Sequence, residues 1–110
     1  MLINFSGSDW CIPCIKMDKE VFQSSTFETF AAEELVLLKA DFPRLKKNKL
    51  PQELTAQNEI LAARYNPEGK FPFTLLVAPD GHVIKSWEGF GIKNADEFIT
   101  DIKNTVHASK

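Results

Sequence analysis

The sequence predicts a single α/β domain with the element order β-α-β-α-β-β-α. Two observations predict it: short apolar runs of strand length alternate with segments of helical periodicity, and a Pro-Asp-Gly turn joins the last two strands. The length of 110 residues, 44% of them apolar, suits one domain with its own core. No repeat or composition shift divides the chain, so we expect residues 1–110 to form one domain.

Composition and charge exclude several classes of protein. The net charge of −2 and a pI near 5.7 argue against a nucleic-acid-binding protein, which usually has a basic face. The apolar stretches are too short to span a bilayer, so we expect no membrane-spanning segment in this chain. Two cysteines in a domain of this size do not make a disulfide scaffold.

The first half of the chain predicts two strands separated by helix. Residues 2–6 are a short apolar run that ends at Gly7 and predicts a buried strand. Residues 35–42 are almost continuously apolar, which is typical of a central or parallel strand covered on both faces. Helical spacing predicts the apolar face of a helix after Cys14 and of a short second piece: Met17, Val21, Phe22, then Phe27 and Phe30.

The second half predicts a helix, a hairpin and a last helix. Pro51 is suited to opening a helix, whose buried face we assign to Leu54, Ile60, Leu61 and Tyr65. Residues 66–69 end it. Residues 73–79 and 82–88 predict a hairpin, with Trp87 in the core and a break at 89–91. Asn94 with Glu97 resembles a capping box, and the last helix has this apolar face: Phe98, Ile99, Ile102 and Val106.

The cysteines lie in the stretch "SGSDWCIPCIKM", as Cys11 and Cys14. A zinc site would need further ligands, and His82 and His107 are distant and at no ligand spacing, so we expect no metal. A purely structural disulfide is also a weak interpretation. Closing so short a loop removes little entropy from the unfolded chain.

The placement of the pair between a strand and a helix favours redox chemistry. Cys11 should lie at the helix N-terminus, where unpaired N–H groups and the helix dipole favour a thiolate. Cys11 would then attack a substrate disulfide, and Cys14, one turn further along, would resolve the mixed disulfide. Pro13 fits the first helical turn and stiffens the loop between the sulfurs. This chemistry implies no metal or organic cofactor.

The run "FSGSDWCIPCIKM", in a chain of this element order, resembles the thioredoxin superfamily, and in particular its bacterial extracytoplasmic thiol:disulfide interchange and disulfide-isomerase-like members. The resemblance covers nearly the whole chain. It implies a thioredoxin-like fold, with a four-stranded mixed sheet and helices on both faces. Family members usually have an extra β-α unit before the first strand here, so we expect a truncated or minimal version with residues 35–42 at the sheet edge. It also implies a periplasmic location, with the cytoplasm as the alternative.

The resemblance implies a second site at Pro72 in "GKFPFTLLVAPDG". A cis-proline facing the cysteines would leave the backbone of Phe71 free to pair with an extended substrate. The alternative is a trans proline that starts an edge strand. Phe73 stands between Pro72 and Thr74, whereas the family pattern has threonine directly after the proline.

A second departure concerns the proton acceptor for Cys14. Classical thioredoxin has a buried aspartate where this chain has Phe5. Lys39 and Asp41 on the neighbouring strand are candidates to tune the site, but a solvated strand end is the favoured interpretation, and water is the alternative acceptor.

Two further features of the sequence are open to two interpretations each. Trp10 either forms a docking surface with Ile12 and Phe71, or packs on the flank of its own domain. A basic loop, with Arg44, Lys46, Lys47 and Lys49, is either a contact for an acidic partner or simply solvated, and we favour the latter.

The predicted function is thiol–disulfide exchange with protein disulfides, as a monomer supplied by an upstream thiol reductant. Pro13 resembles the residue of reducing thioredoxins, whereas oxidases and isomerases more often have histidine there. We therefore predict a reductant. The alternatives are a disulfide isomerase or oxidase, and a non-catalytic binding module with the same fold.

Overall fold

The computed structural model describes residues 1–89 and 94–108, with side chains to residue 107. Its strands and helices follow the predicted order and are β1 (Leu2–Ser6), α1 (Ile12–Met17), α2 (Ser25–Glu34), β2 (Leu37–Asp41), α3 (Gln52–Tyr65), β3 (Phe73–Val77), β4 (Val83–Glu88) and α4 (Ala95–Ala108). The sheet has the strand order β2-β1-β3-β4. β1 is parallel to β2 and antiparallel to β3, and β3 pairs antiparallel with β4, which confirms the mixed sheet and the hairpin.

Helices cover both faces of the sheet, as expected. Successive side chains of β1 and β3 point to opposite sides, so both strands place apolar side chains under the helices of each face. Leu2 and Leu76 pack on one side, against α2, α4 and the helix that follows the cysteines. Ile3 and Phe5 lie on the other side, under α3. The larger core is the first, and its buried residues are Leu2, Met17, Val21, Phe22, Phe27, Phe30, Ala31, Leu76, Ala95, Phe98, Ile99 and Ile102.

The helix after the cysteines changes geometry part-way along. α1 runs directly into a π-helical turn, Asp18–Phe22, and the two pieces bury Met17, Val21 and Phe22 as predicted. Ser24 then caps α2, because its hydroxyl accepts a hydrogen bond from the Phe27 N–H at 3.2 Å.

The prediction for residues 35–42 was right about parallel pairing and wrong about burial. β2 is an edge strand of the sheet, which agrees with the edge position expected for this segment. Only Ala40 is fully buried, Leu37 and Leu38 are half-buried, and Val36 is 68% exposed. An edge strand has one neighbour and incomplete helical cover, so an apolar run there is not evidence of burial on both faces.

The predicted face of α3 was half wrong. Leu61 and Tyr65 pack against the sheet, but Leu54 is 40% exposed and Ile60 is 70% exposed. Between Leu54 and Leu61, the side chain that α3 buries is Asn58, whose amide donates to the Asp41 carbonyl at 3.0 Å. A buried polar residue with a backbone partner cannot be distinguished from a surface residue by hydrophobic periodicity. Pro51 opens the helix as predicted: it is the N-cap of α3, and its carbonyl accepts the Thr55 N–H at 3.0 Å.

The last two elements follow the prediction closely. The turn at Gly81 has a positive φ of 93°. The Asn94 side chain caps α4 by accepting from the Glu97 N–H at 2.8 Å. Trp87 packs on the core against Phe98. The predicted break at 89–91 falls partly outside the described residues. Within the described part of the chain, no helix is long and apolar enough to cross a membrane.

One polar pair crosses the centre of the sheet. Asn4 on β1 lies opposite Thr74 on β3, and its amide donates to the Thr74 hydroxyl at 3.0 Å. Both side chains are buried and each is the partner of the other, so neither polar group is left unsatisfied.

Candidate redox site

Cys11 ends the loop between β1 and α1, and Cys14 lies in the first turn of α1. Cys11 is the N-cap of α1, with an extended backbone, and its Sγ accepts a hydrogen bond from the Cys14 N–H at 3.3 Å. The two sulfurs form a disulfide, with Cα atoms 5.2 Å apart. Both residues are buried, at 5% and 3% exposure. In the described residues no further His, Cys, Asp or Glu side chains gather into a metal site.

The residues between the cysteines face outward. Ile12 is 72% exposed, which is unusual for an isoleucine in the first turn of a helix. Pro13 is also exposed and lies in that first turn, where its missing N–H leaves no helical hydrogen bond unmade. These two side chains therefore form the surface that surrounds the disulfide.

Trp10 is packed on its own domain. Its Nε1–H donates to the Phe42 carbonyl at 2.7 Å, and the Arg44 guanidinium lies 3.8 Å from the ring centroid. Gly7 lies so close under the indole that a Cβ there would be 2.2 Å from Cε2. Of the two interpretations of Trp10, the structure favours packing on the flank, and the indole is half-buried.

The Phe71–Pro72 peptide bond is cis, as the resemblance implied. The Pro72 ring is buried, so a substrate could reach this residue only through the backbone. The Phe71 ring is half-buried and meets Trp10 edge-on, with centroids 5.3 Å apart, and Phe42 at 5.7 Å. This aromatic trio, Trp10, Phe42 and Phe71, brings the cysteine loop, the end of β2 and the cis-proline segment together. The intervening Phe73 begins β3 and is buried under α3.

A cavity of about 460 Å³ lies behind Cys14. Its lining includes Asn4, Ser6, Ser8, Asp18, Lys39 and Asp41. Lys39 is paired with Asp18, and the Asp41 carboxylate accepts from the Ser8 hydroxyl at 2.6 Å. Lys39 is exposed and Asp41 half-buried, so both belong to a solvated end of β2, as favoured from the sequence. Phe5 is fully buried under α3, on the other side of the sheet.

Sequence reasoning missed Asp9. Its carboxylate accepts from the Arg44 N–H at 2.9 Å, the Leu45 N–H at 3.0 Å and the Asn48 side-chain amide at 3.1 Å. The backbone N–H of Arg44 is the main reason that the pKa of Asp9 lies below the usual aspartate range. Asp9 therefore ties the basic loop to the cysteine loop. No periodic pattern links positions so far apart in the chain, so the sequence held no signal for this contact.

Comparison with known proteins identifies the family. The sequence pattern of the family described as "Thioredoxin-like" matches residues 1–79. The chain belongs to this thioredoxin-like family. It is also 34% identical over 102 residues to a protein of Chlamydia pneumoniae named "Disulfide bond reductase DsbH". That match covers 93% of this chain but 59% of the relative, so the chain spans less than two thirds of that protein's length.

Solved structures show the same fold. A structure titled "DsbH Oxidoreductase" superimposes with a TM-score of 0.84 at 32% identity, and the match covers 96% of this thioredoxin-like chain and 71% of the other. The oxidised C-terminal domain of DsbD from Neisseria meningitidis has a TM-score of 0.65 at 22% identity over 96% of this chain and 78% of the other. At that lower identity the likeness concerns the fold alone.

Proposed function

We propose that this domain is a thiol–disulfide oxidoreductase that reduces disulfides in proteins. The observation that carries the proposal is the position of Cys11. Its sulfur is the side-chain cap of α1 and already accepts the Cys14 N–H, so the same N–H is in place to stabilise a Cys11 thiolate after reduction. The relative named a disulfide bond reductase supports the same chemistry.

The reaction proceeds in two exchanges. In the dithiol state, the Cys11 thiolate attacks one sulfur of the substrate disulfide, and the other substrate sulfur leaves as a thiolate that takes up a proton. Cys14, after losing its proton, then attacks the Cys11 sulfur and releases the second substrate thiolate, which is also protonated. The substrate gains two electrons and two protons, and the domain ends with the Cys11–Cys14 disulfide. An upstream dithiol must reduce that bond for the next turnover.

The cavity behind Cys14 offers a route for the proton of the resolving thiol. Its lining includes hydroxyl, amide and carboxylate groups, and it is large enough for water. We assign the proton transfer to water in this cavity, which passes the proton on to bulk solvent. No buried carboxylate at the position of Phe5 is then required.

Substrate contact is assigned to the rim of the disulfide. The exposed Ile12 and Pro13 would contact the segment that carries the substrate cysteine. The backbone of Phe71 beside the cis bond to Pro72 would pair with that segment as an added strand. Trp10 contributes mainly by holding Phe71 next to the cysteine loop.

The direction of exchange is proposed as reduction, in an extracytoplasmic compartment. Pro13 between the cysteines and the name of the Chlamydia relative support a reductant. Protein disulfides, the proposed substrates, persist mainly in extracytoplasmic compartments, which supports the location.

The first test is the equilibrium reduction potential of the Cys11–Cys14 pair in defined thiol buffers. We expect a value near about −270 mV, as for a reducing thioredoxin. A value of about −120 to −180 mV would instead assign the domain to the oxidases or isomerases.

Substitution of the cysteines tests their roles. Cys11→Ser should abolish reduction of insulin disulfides, and Cys14→Ser should accumulate mixed disulfides that are visible by mass spectrometry. Full activity of Cys11→Ser would make the role assignment wrong. No turnover by the wild-type domain, despite tight binding of a partner, would support a non-catalytic binding module.

A further inference from the structure

The strongest feature not used by this chemistry is the basic loop. Between Phe42 and Gln52 the chain has four cationic residues, Arg44, Lys46, Lys47 and Lys49, and no acidic one, although the protein as a whole is acidic. All four are exposed. Among the described residues none of them forms an ion pair, whereas Lys39, Lys70 and Lys85 each have a carboxylate partner.

The loop is fixed against the redox site rather than hanging free of it. Asp9, two residues before Cys11, accepts three hydrogen bonds from the loop, including the N–H groups of Arg44 and Leu45. The Arg44 guanidinium stacks over Trp10, the residue that precedes the nucleophile. A short 3₁₀ turn, Lys46–Asn48, holds the shape of the loop.

These contacts use the Asp9 carboxylate without neutralising the lysines of the loop. Asp9 is engaged by backbone N–H groups and by the amide of Asn48, so the charges of Lys46, Lys47 and Lys49 face solvent. A fixed cluster of like charges beside a reactive site raises the encounter rate with a partner of opposite charge and lowers it for partners of the same charge.

We propose that the basic loop, residues 44–49, is a docking element that selects protein disulfides flanked by acidic segments. The inference rests on the proposed function, because it names the class of substrate for the same cysteine pair. A substrate strand beside Phe71 and Cys11 would present its neighbouring carboxylates to the lysines, while Arg44 stays on Trp10. An anionic membrane surface is a different partner and is treated as an outcome of the test.

The test compares two disulfide peptides of equal length, one with aspartates and one with lysines around the cysteines. We expect the wild-type domain to reduce the acidic peptide about ten-fold faster, as kcat/KM, at low ionic strength, and the preference to shrink as salt is added. The triple variant Lys46→Gln, Lys47→Gln, Lys49→Gln should lose most of the preference, because it should reduce the acidic peptide more slowly and, with the repulsion relieved, the basic peptide no more slowly than the wild type does.

The control variant changes net charge equally at distant positions. Ser25→Glu, Lys103→Gln and Asn104→Glu together also lower the charge by three, on exposed positions of α2 and α4. This variant should keep the wild-type preference. If it loses the preference as fully as the loop variant does, overall charge is the cause and the docking proposal is wrong.

The remaining outcomes separate this inference from the proposed function. Equal rates with the two peptides would overturn the docking role and leave the oxidoreductase intact. No reduction of either peptide would overturn both. Equal rates, together with sedimentation of the wild type but not the loop variant with phosphatidylglycerol vesicles, would replace the acidic substrate by a membrane surface.

Discussion

Trp10 and Trp87 make the same set of contacts in two different regions of the domain. Each indole N–H donates a hydrogen bond of 2.7 Å, to the Phe42 carbonyl and to the Asp101 carboxylate respectively. Each ring has a cation over it, Arg44 or Lys85. Each also meets a phenylalanine edge-on, with centroids 5.3 Å apart at Trp10 and 5.2 Å apart at Trp87.

The difference lies in what the contacts connect. Around Trp87, the cation is itself paired with Asp101 at 2.7 Å, and the phenylalanine is the fully buried Phe98, so the cluster fastens α4 to β4 over the main core. Around Trp10, the acceptor is a backbone carbonyl and the neighbours belong to loops. The same chemistry thus stabilises the fold in one region and positions the rim of the redox site in the other.

The largest expected effect comes from deleting the phenylalanine of each cluster. Phe98→Ala should lower the free energy of unfolding by about 3–5 kcal/mol, because it leaves a cavity in the core. The matched variant Phe71→Ala removes a half-buried ring and should cost clearly less stability while reducing activity. Urea unfolding of both variants measures the difference. Equal losses of stability would remove the distinction between the two regions.

The next effect concerns the close contact under Trp10. Gly7→Ala places a Cβ 2.2 Å from the indole, so the ring must move, at an expected cost of about 1–3 kcal/mol in the free energy of unfolding. The double variant Gly7→Ala, Trp10→Ala should lose less than the sum of the single changes, since the clash is gone. Strict additivity would mean that the two residues do not contact each other in solution.

Replacement of each tryptophan by phenylalanine separates stability from activity. Trp87→Phe leaves Asp101 without its indole partner and should cost about 1–3 kcal/mol of stability, with activity per folded molecule unchanged. Trp10→Phe should instead lower kcat/KM for a protein disulfide about ten-fold through misplacement of Phe71. Insulin reduction and thermal unfolding, measured on both variants, should rank them in opposite order.

The smallest effect is on acid stability. The Lys85 side-chain hydrogen bond is the main reason that the pKa of Asp101 is lowered, and backbone N–H bonds lower that of Asp9. A carboxyl with a lowered folded-state pKa stabilises the fold above its unfolded pKa, and this stabilisation is lost as the pH falls through the folded value. Stability should therefore fall below about pH 4.

Asparagine variants assign that loss to its source. Asp101→Asn should reduce the loss of unfolding free energy at low pH by less than about 1 kcal/mol, because the ion pair is partly exposed. Asp9→Asn should affect the position of Arg44 over Trp10, read by tryptophan fluorescence, more than it affects unfolding. An unchanged slope in Asp101→Asn would show that this carboxyl does not contribute.

Local patterns in the sequence predicted most of the fold. Strand-length apolar runs, the Pro-Asp-Gly turn and the Asn94 cap all depend on neighbouring residues, and each is found where expected. The cysteine pair and the cis bond before Pro72 followed from the motif and the family resemblance. The burial of β2 and the face of α3 were mispredicted because tertiary position decides which apolar residues are covered.

The rest of the site depends on contacts between distant parts of the chain. The residues next to Trp10 in the sequence do not indicate that its N–H donates to the Phe42 carbonyl. Those next to Asp9 do not indicate that it binds the basic loop. Hydrogen bonds between loops follow no periodic pattern in the sequence, so they can be identified only in the structure.

The Asn4–Thr74 pair also has a consequence for the alignment of the sheet. A shift of β1 against β3 by one residue would turn every side chain to the wrong face, which core packing forbids. A shift by two would keep the faces but set the Asn4 amide opposite Leu76 or Pro72, where it would lack its acceptor. The hydrogen bond between these two buried polar residues therefore favours the observed register of β1 and β3 over alignments shifted by two residues.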